Sequence, residues 1–183
     1  MINMLRCAAS GARARAMQST LLINAEWKRL LDISTTRETI SWLARRKIVS
    51  SDSLTTIEAE KEIRESVIRT TEKIMYFSHG RLRKLLGFFI YYFDLLNIES
   101  VIRHIHELPD APPVPEEALY NTGTSGLVDT GKLASCTNLA VISEILGGTF
   151  LDQPFERAVE NYKQSGDISY LTTELELAFL QHW

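Results

Sequence analysis

Two long helical patterns joined by a glycine limit the possible folds of this chain more than any other part of its sequence. From Ala59 to Phe77, apolar and small residues recur at steps of four, four, three, four and three, which places them on one face of a helix about 30 Å long. Ser78-His79-Gly80 then supplies the residue that most readily ends a helix in a left-handed conformation. The helical pattern resumes at Arg81 and continues to about His106. We therefore expect an αα-hairpin with a tight turn.

The second arm of this hairpin is apolar on nearly every side between Leu85 and Leu96. Its most apolar stretch, GFFIYYFDLL from Gly87 to Leu96, would measure about 15 Å as a helix, roughly half the thickness of a bilayer core. The stretch also contains an aspartate. These properties predict a buried core helix that does not span a membrane.

Shorter helices are predicted on both sides of the hairpin, each beginning at a Ser, Thr or Asn that can accept hydrogen bonds from the first turn. The candidate caps of these shorter helices are Thr35 or Thr36 and Thr137 or Asn138, and Thr55 or Thr56 is the candidate cap of the first hairpin arm, which should begin near Ile57. The β-branched residues lie at helical rather than alternating spacing. The predicted fold class is therefore all-α.

A Pro- and Gly-rich segment separates two helical regions. Four of the five prolines lie between Pro109 and Pro115, and the stretch NTGTSG follows. We predict a first helical repeat domain at residues 1–107, a Pro- and Gly-rich linker or inter-domain connection at 108–130, and a partial second helical repeat at 131–183.

The repeat is suggested by two similar capped helices, at residues 35–47 and 138–150. In this interpretation, residues 168–183 correspond to the first arm of the long hairpin, and the second repeat is incomplete because its second arm is absent. We then expect the apolar side of the last helix, with Leu171 and Leu175, to be exposed or covered by a partner.

Composition and motifs offer little support for catalysis or for nucleic-acid binding. A formal net charge of −3 provides no basic field for nucleic acid. Cys7 and Cys136 have no neighbouring Cys or His, so neither a disulfide framework nor a zinc site is predicted. His104 and His106 are two residues apart on a helix and point away from each other, so they cannot share a metal. No P-loop, GxSxG or GxGxxG motif occurs. We predict no catalytic residue, cofactor or metal.

The first 25 residues contain Arg6, Arg13 and Arg15 among Ala and Ser and have no acidic side chain. This composition is typical of an organellar transit peptide. The same segment also fits the start of the folded domain, and both interpretations remain open.

Two polar residues interrupt the apolar second arm. Asp94 and Asn97 are three residues apart and share a helix face with Ile90 and Val101. A buried carboxylate and a buried amide need hydrogen-bond partners, so we expect a backbone end or a cation on another helix to contact them. We predict a hydrogen-bond node that fixes the hairpin. A titrating carboxylate in an ion path is the less favoured alternative, because no membrane segment surrounds it.

The segment around this pair resembles a known family signature. Tyr92 to Arg103 reads YFDLLNIESVIR and matches D-x-x-N-[hydrophobic]-x-x-[hydrophobic]-[hydrophobic]-R, which includes Arg103. This pattern is similar to that of the central-stalk subunit called C in archaeal and bacterial rotary ATPases and d in eukaryotic V-ATPases. The same family begins each repeat with a segment like Arg13 to Leu22, followed by a capped short helix like Ser34 to Leu43.

In the second half, Leu146 to Phe150 resembles the family's L-x-x-T-[aromatic] ending of the short helix. The first copy departs from this pattern at Leu43 to Lys47.

Within Tyr92 to Arg103, Glu99 and Arg103 are also spaced for an i,i+4 ion pair.

The resemblance implies a funnel-shaped helical protein without catalytic activity, peripheral at the cytoplasmic face of the membrane. Its implied partners are the central shaft and the membrane rotor ring of a rotary ATPase that transports H⁺ or Na⁺, with membrane contact only through the ring. It also implies that this chain holds the first domain and part of the second. The main alternative is a free-standing helical adaptor that uses the same fold, followed by an enzyme of unrecognised type.

Overall fold

The computed structural model describes Gly11 and residues 22–182, and the regular structure in this part is entirely helical. The α-helices are α1 (Asn24–Leu31), α2 (Thr36–Arg45), α3 (Thr56–Phe77), α4 (Gly80–Glu107), α5 (Thr130–Ala134), α6 (Leu139–Leu146), α7 (Asp152–Ser165) and α8 (Ser169–His182), with short 3-10 turns at Glu116–Ala118 and Gly123–Ser125. Because these residues contain no strand, the all-α fold class is confirmed. Cys7 and the arginine-rich segment with Arg6, Arg13 and Arg15 lie outside the described residues.

The predicted helix starts are confirmed by hydrogen bonds at the caps. The Thr35 hydroxyl accepts from the backbone N–H of Glu38, at 3.3 Å. Thr55 and Glu58 form a reciprocal capping box, in which each side chain accepts from the other residue's backbone N–H. The Asn138 side chain accepts from two backbone N–H groups at the start of α6. Each of these starts depends on residues within one turn of the cap.

The break between α3 and α4 lies at Ser78 and His79, just before the glycine; α3 ends in an extended residue, and the left-handed Gly80 begins α4 instead of ending α3. Ser78 ends α3, and its hydroxyl donates a hydrogen bond of 2.8 Å to the carbonyl of Ile74. Gly80 has a φ of +57°, a left-handed conformation that costs glycine little. The antiparallel hairpin and the repeat remain predictions.

The chain divides into two compact units, an N-terminal unit of Met1–Leu86 and a C-terminal unit of Gly87–Trp183. Most of α4 therefore belongs with the segments that follow it. This division differs from the predicted one, in which a first domain extended to residue 107. The predicted repeat boundaries are based on sequence similarity and remain a prediction.

The N-terminal unit has a small apolar core. Its buried residues are Ile40, Leu43, Val49 and Ala59, and the partly buried neighbours include Leu30, Trp42 and Ile63. The predicted apolar face of α3 is therefore correct at Ala59 and Ile63. It is wrong at Val67, which is 49% exposed, because the C-terminal part of α3 buries Ile68 and Met75 instead.

The C-terminal unit has the larger core, built around α4. The buried side chains come from α4, the connection and all four later helices; they include Leu95, Ile98, Val101, Ile102, Val114, Leu119, Val128, Leu133, Ile142, Leu146, Phe155, Leu171 and Leu175. Residues 108–130 are consequently part of this core. Val114, Leu119 and Val128 supply its buried apolar side chains there, between the prolines and glycines.

Among the described residues, α4 is the one helix whose length and hydropathy would suffice to cross a membrane. Half of its most apolar window is buried in the protein. A core helix of a globular domain meets the same criterion, and the buried residues on several sides of α4 are typical of such a helix.

The last helix has two apolar sides. Leu171, Leu175 and Phe179 are buried in the core, so the side expected to be exposed is covered within this chain. Leu177 and Leu180 lie on a different side of α8 and are exposed.

Candidate functional site

Asp94 lies on α4 with a fully buried side chain, and its two carboxylate oxygens have different partners in the connection. The hydroxyl of Thr122, itself fully buried, donates to Oδ1 at 2.6 Å. The backbone N–H of Leu127 donates a short hydrogen bond to Oδ2. Both partners belong to the connection: Thr122 directly precedes the second 3-10 turn, and Leu127 follows that turn, before α5. A buried carboxylate that accepts hydrogen bonds from such donors holds them in place.

Asn97 lies one turn further along α4, where it is nearly fully buried and contacts the same segment. Its amide nitrogen donates to the carbonyl of Tyr120, and the backbone N–H of Tyr120 donates to its amide oxygen, each at 2.8 Å. The side chain thus pairs with both polar backbone groups of one residue, as a neighbouring strand would. We call Asp94, Asn97 and their partners Tyr120, Thr122 and Leu127 the α4 node.

The partners found here differ from those that the sequence suggested. We expected a backbone end or a cation on another helix, and a node that fixes the hairpin. The hydrogen bonds run instead to residues 120–127, so the α4 node fastens the connection to α4. Among the described residues, no buried side-chain nitrogen or oxygen lacks a hydrogen-bond partner.

Gly126 allows the connection to approach the carboxylate closely. A Cβ atom at this position would lie 2.5 Å from the Thr122 hydroxyl and 3.0 Å from each carboxylate oxygen of Asp94. These separations are shorter than van der Waals contact. Only glycine therefore fits here without displacing the acceptor or the hydroxyl donor.

Replacement of Gly126 by alanine should accordingly lower the free energy of unfolding by about 2 kcal/mol through overpacking. The φ of Gly126 is −67°, which alanine adopts readily, so backbone strain does not contribute. Gly131→Ala is the matched control in urea unfolding, because its nearest neighbour would lie 3.4 Å away and alanine favours a helix by about 0.5–1 kcal/mol. Equal effects of the two changes would contradict the close approach at Gly126.

Burial dominates the electrostatics of the α4 node. Desolvation raises the pKa of Asp94 from 3.8 to about 6, against the opposing effect of hydrogen bonds from Thr122, Leu127 and Val128. No charged side chain contributes to this shift. The ionised carboxylate is therefore held by neutral donors alone.

Stability should consequently decrease as pH rises through the interval between the unfolded and folded pKa of Asp94. Because the folded pKa is the higher one, the native state binds the proton more tightly, and this stabilisation is complete below pH 3.8 and lost by about pH 6. From pH 4.5 to pH 6 the loss is about 2 kcal/mol, at about 1.4 kcal/mol for each pH unit.

Urea unfolding of the wild type and of Asp94→Asn at pH 4.5 and pH 7.5 tests this dependence. The wild type should lose about 2 kcal/mol relative to the variant at the higher pH. A difference that stays constant between the two pH values would rule out a raised pKa at Asp94.

Arg103, the remaining residue of the family pattern, lies on the surface. The predicted ion pair with Glu99 is present, with 3.9 Å between Nη2 of Arg103 and Oε2 of Glu99. The pKa of Glu99 is raised, first by burial and then by the nearby Glu176, while Arg103 lowers it. The Arg103 side chain is 60% exposed, so this pair contributes little to stability.

The two histidines near the end of α4 have separate partners. His104 Nε2 lies 2.8 Å from the carbonyl oxygen of Pro112, and His106 Nδ1 lies 2.9 Å from the hydroxyl of Tyr162. Within residues 22–182, no group of three or more His, Cys, Asp or Glu side chains is arranged to hold a metal ion.

Sequence reasoning did not identify the partners of Asp94 and Asn97. Thr122 and Gly126 belong to a stretch whose composition is typical of a linker. An available signal was the presence of apolar residues among the prolines and glycines; three of them, Val114, Leu119 and Val128, are buried in the structure.

Comparison with known families gives one match that spans nearly the whole chain. The family model described as ATP synthase (C/AC39) subunit matches residues 11–183 and so includes the α4 node and Arg103. Comparisons with curated proteins and with solved structures gave no significant match. The chain therefore belongs to the ATP synthase C/AC39 subunit family of V- and A-type rotary ATPases, as the pattern from Asp94 to Arg103 indicated.

Proposed function

We propose that this chain is a non-catalytic coupling subunit that links the central shaft of a V- or A-type ATPase to its membrane rotor ring. The observation that carries the proposal is the family match over residues 11–183. In this role the protein is cytoplasmic and peripheral to the membrane, and it contacts the membrane only through the ring. It takes part in H⁺ or Na⁺ transport by transmitting torque through shape and polar contacts, without a cofactor.

The architecture of the C-terminal unit supports this proposal. A part that transmits torque must resist deformation, and long helices packed around a common core are stiff elements. Most of α4 contributes to such a core, and the hydrogen bonds of Asp94 and Asn97 tie residues 120–127 to it. We assign the α4 node the structural role of keeping this connection on α4.

Co-expression with the shaft and ring subunits of a rotary ATPase tests the proposal. The chain should co-purify with both, and ATP-driven ion pumping into vesicles should require it. ATP hydrolysis by the detached catalytic head should be independent of the chain, because coupling and chemistry are separate.

Gly126→Ala and its control Gly131→Ala extend this experiment to the α4 node. The first variant should reduce pumping more than the second at the same expression level. Co-purification with unrelated proteins and without shaft or ring subunits would instead favour a helical adaptor and overturn the coupling role.

A further inference from the structure

Two helices of the C-terminal unit leave large apolar side chains in solvent. On α4, Phe89 is 55% exposed and Tyr92 is 48% exposed; on α8, Leu177 is 45% exposed and Leu180 is 66% exposed. The members of each pair are three residues apart, so each pair occupies one face of its helix. Contiguous exposed apolar surface is typical of an interaction site.

The two exposed pairs flank a direct contact between α4 and α8. Phe179 stacks on Phe88 with ring centroids 4.0 Å apart, and its centroid lies 6.1 Å from that of Tyr92. Leu180 directly follows Phe179 and therefore lies about 100° around the axis of α8 from it. This position places Leu180 next to the contact between α4 and α8. We define the α4–α8 face as Phe89, Tyr92, Leu177 and Leu180.

Acidic side chains border the α4–α8 face. The buried Glu99 of α4 interacts electrostatically with Glu176 of α8, and Arg103 is the cation paired with Glu99. The carboxylates of Glu99 and Glu176 and the guanidinium of Arg103 together give this edge of the face a formal charge of −1. A further cation placed here would be attracted to both carboxylates.

We propose that the α4–α8 face binds an amphipathic helix of a partner protein, with its apolar side on Tyr92 and Leu180 and a Lys or Arg opposite Glu99 and Glu176. Charge complementarity selects this occupant. A second copy of the chain is disfavoured, because a two-fold interface would bring the same acidic border towards itself. The coupling role does not assign this surface, and the proposal does not depend on that role.

Two synthetic peptides test the charge requirement on the full chain. Both are Leu-faced helices of about five turns, and they differ only in carrying Lys or Glu beside the apolar side. Fluorescence anisotropy should show that the Lys peptide binds about tenfold more tightly than the Glu peptide. Glu176→Lys should reverse this preference. Glu160→Lys, an equal change of charge at an exposed site on α7, should preserve it.

A second pair of variants tests the apolar part. Leu180→Gln should weaken binding of the Lys peptide about tenfold, whereas Leu108→Gln, at an exposed leucine beyond α4, should have no effect. Equal effects of Glu176→Lys and Glu160→Lys would show non-specific attraction and overturn the proposal. A dimer in sedimentation that Leu180→Gln dissociates would assign the face to a second copy and would also overturn it.

Discussion

Asp94→Ala is expected to lower the free energy of unfolding by about 3 kcal/mol and the Tm by roughly 6–12 °C. The alanine would leave the hydroxyl of Thr122 and the backbone N–H of Leu127 without their acceptor in a buried site. Each orphaned donor costs about 1–3 kcal/mol, and removal of a desolvated charge offsets part of the sum. Urea unfolding and thermal melting at pH 7 give both quantities.

Asp110→Ala is the matched control for this substitution, because Asp110 is an exposed aspartate of the same connection. Its effect should stay within about 0.5 kcal/mol. Hydrogen exchange adds a local measurement, in which amides of residues 120–128 should lose protection in Asp94→Ala. An unchanged melting curve together with unchanged exchange would contradict the structural role of the α4 node.

Asn97→Ala is expected to have an effect of similar size, about 3 kcal/mol. Both backbone polar groups of Tyr120 would lose their partner at once, and the Asn97 site is too buried for water to replace it easily. Asn161→Ala, at an exposed position on α7, serves as the control and should change stability by less than about 0.5 kcal/mol. A loss no larger than that of the control would show that the paired hydrogen bonds contribute nothing.

The double variant with Asp94→Ala distinguishes a shared node from two separate contacts. Both side chains fasten the same segment, so release of residues 120–127 by either change should remove part of the other's contribution. The two losses should therefore sum to more than the loss in the double variant. Full additivity would indicate that the two contacts act independently.

The features predicted correctly from the sequence are those decided by residues close together along the chain. The caps at Thr35, Thr55 and Asn138 each form hydrogen bonds within three residues, and Gly80 adopts a left-handed conformation at the start of α4 through its own backbone preference. Amphipathic spacing likewise predicted an all-α fold, because helix periodicity is a property of the local pattern.

The sequence did not correctly predict which residues are buried where segments distant along the chain pack against each other. The spacing on α3 could not show that Ile68 rather than Val67 would be buried, since the two lie about 100° apart and the packing partner decides between them. The Pro- and Gly-rich composition of residues 108–130 also gave no indication that their few apolar side chains complete the core of the C-terminal unit.

The local sequence pattern was sufficient to establish the all-α class, the caps of α2, α3 and α6, the family to which the chain belongs, and the need of Asp94 and Asn97 for buried partners. The folded structure determined what those partners are, because Tyr120 and Leu127 contribute backbone groups, which carry no sequence signature. It also decided that Gly126 lies against the carboxylate, since a close approach depends on where the chain returns and not on the glycine alone.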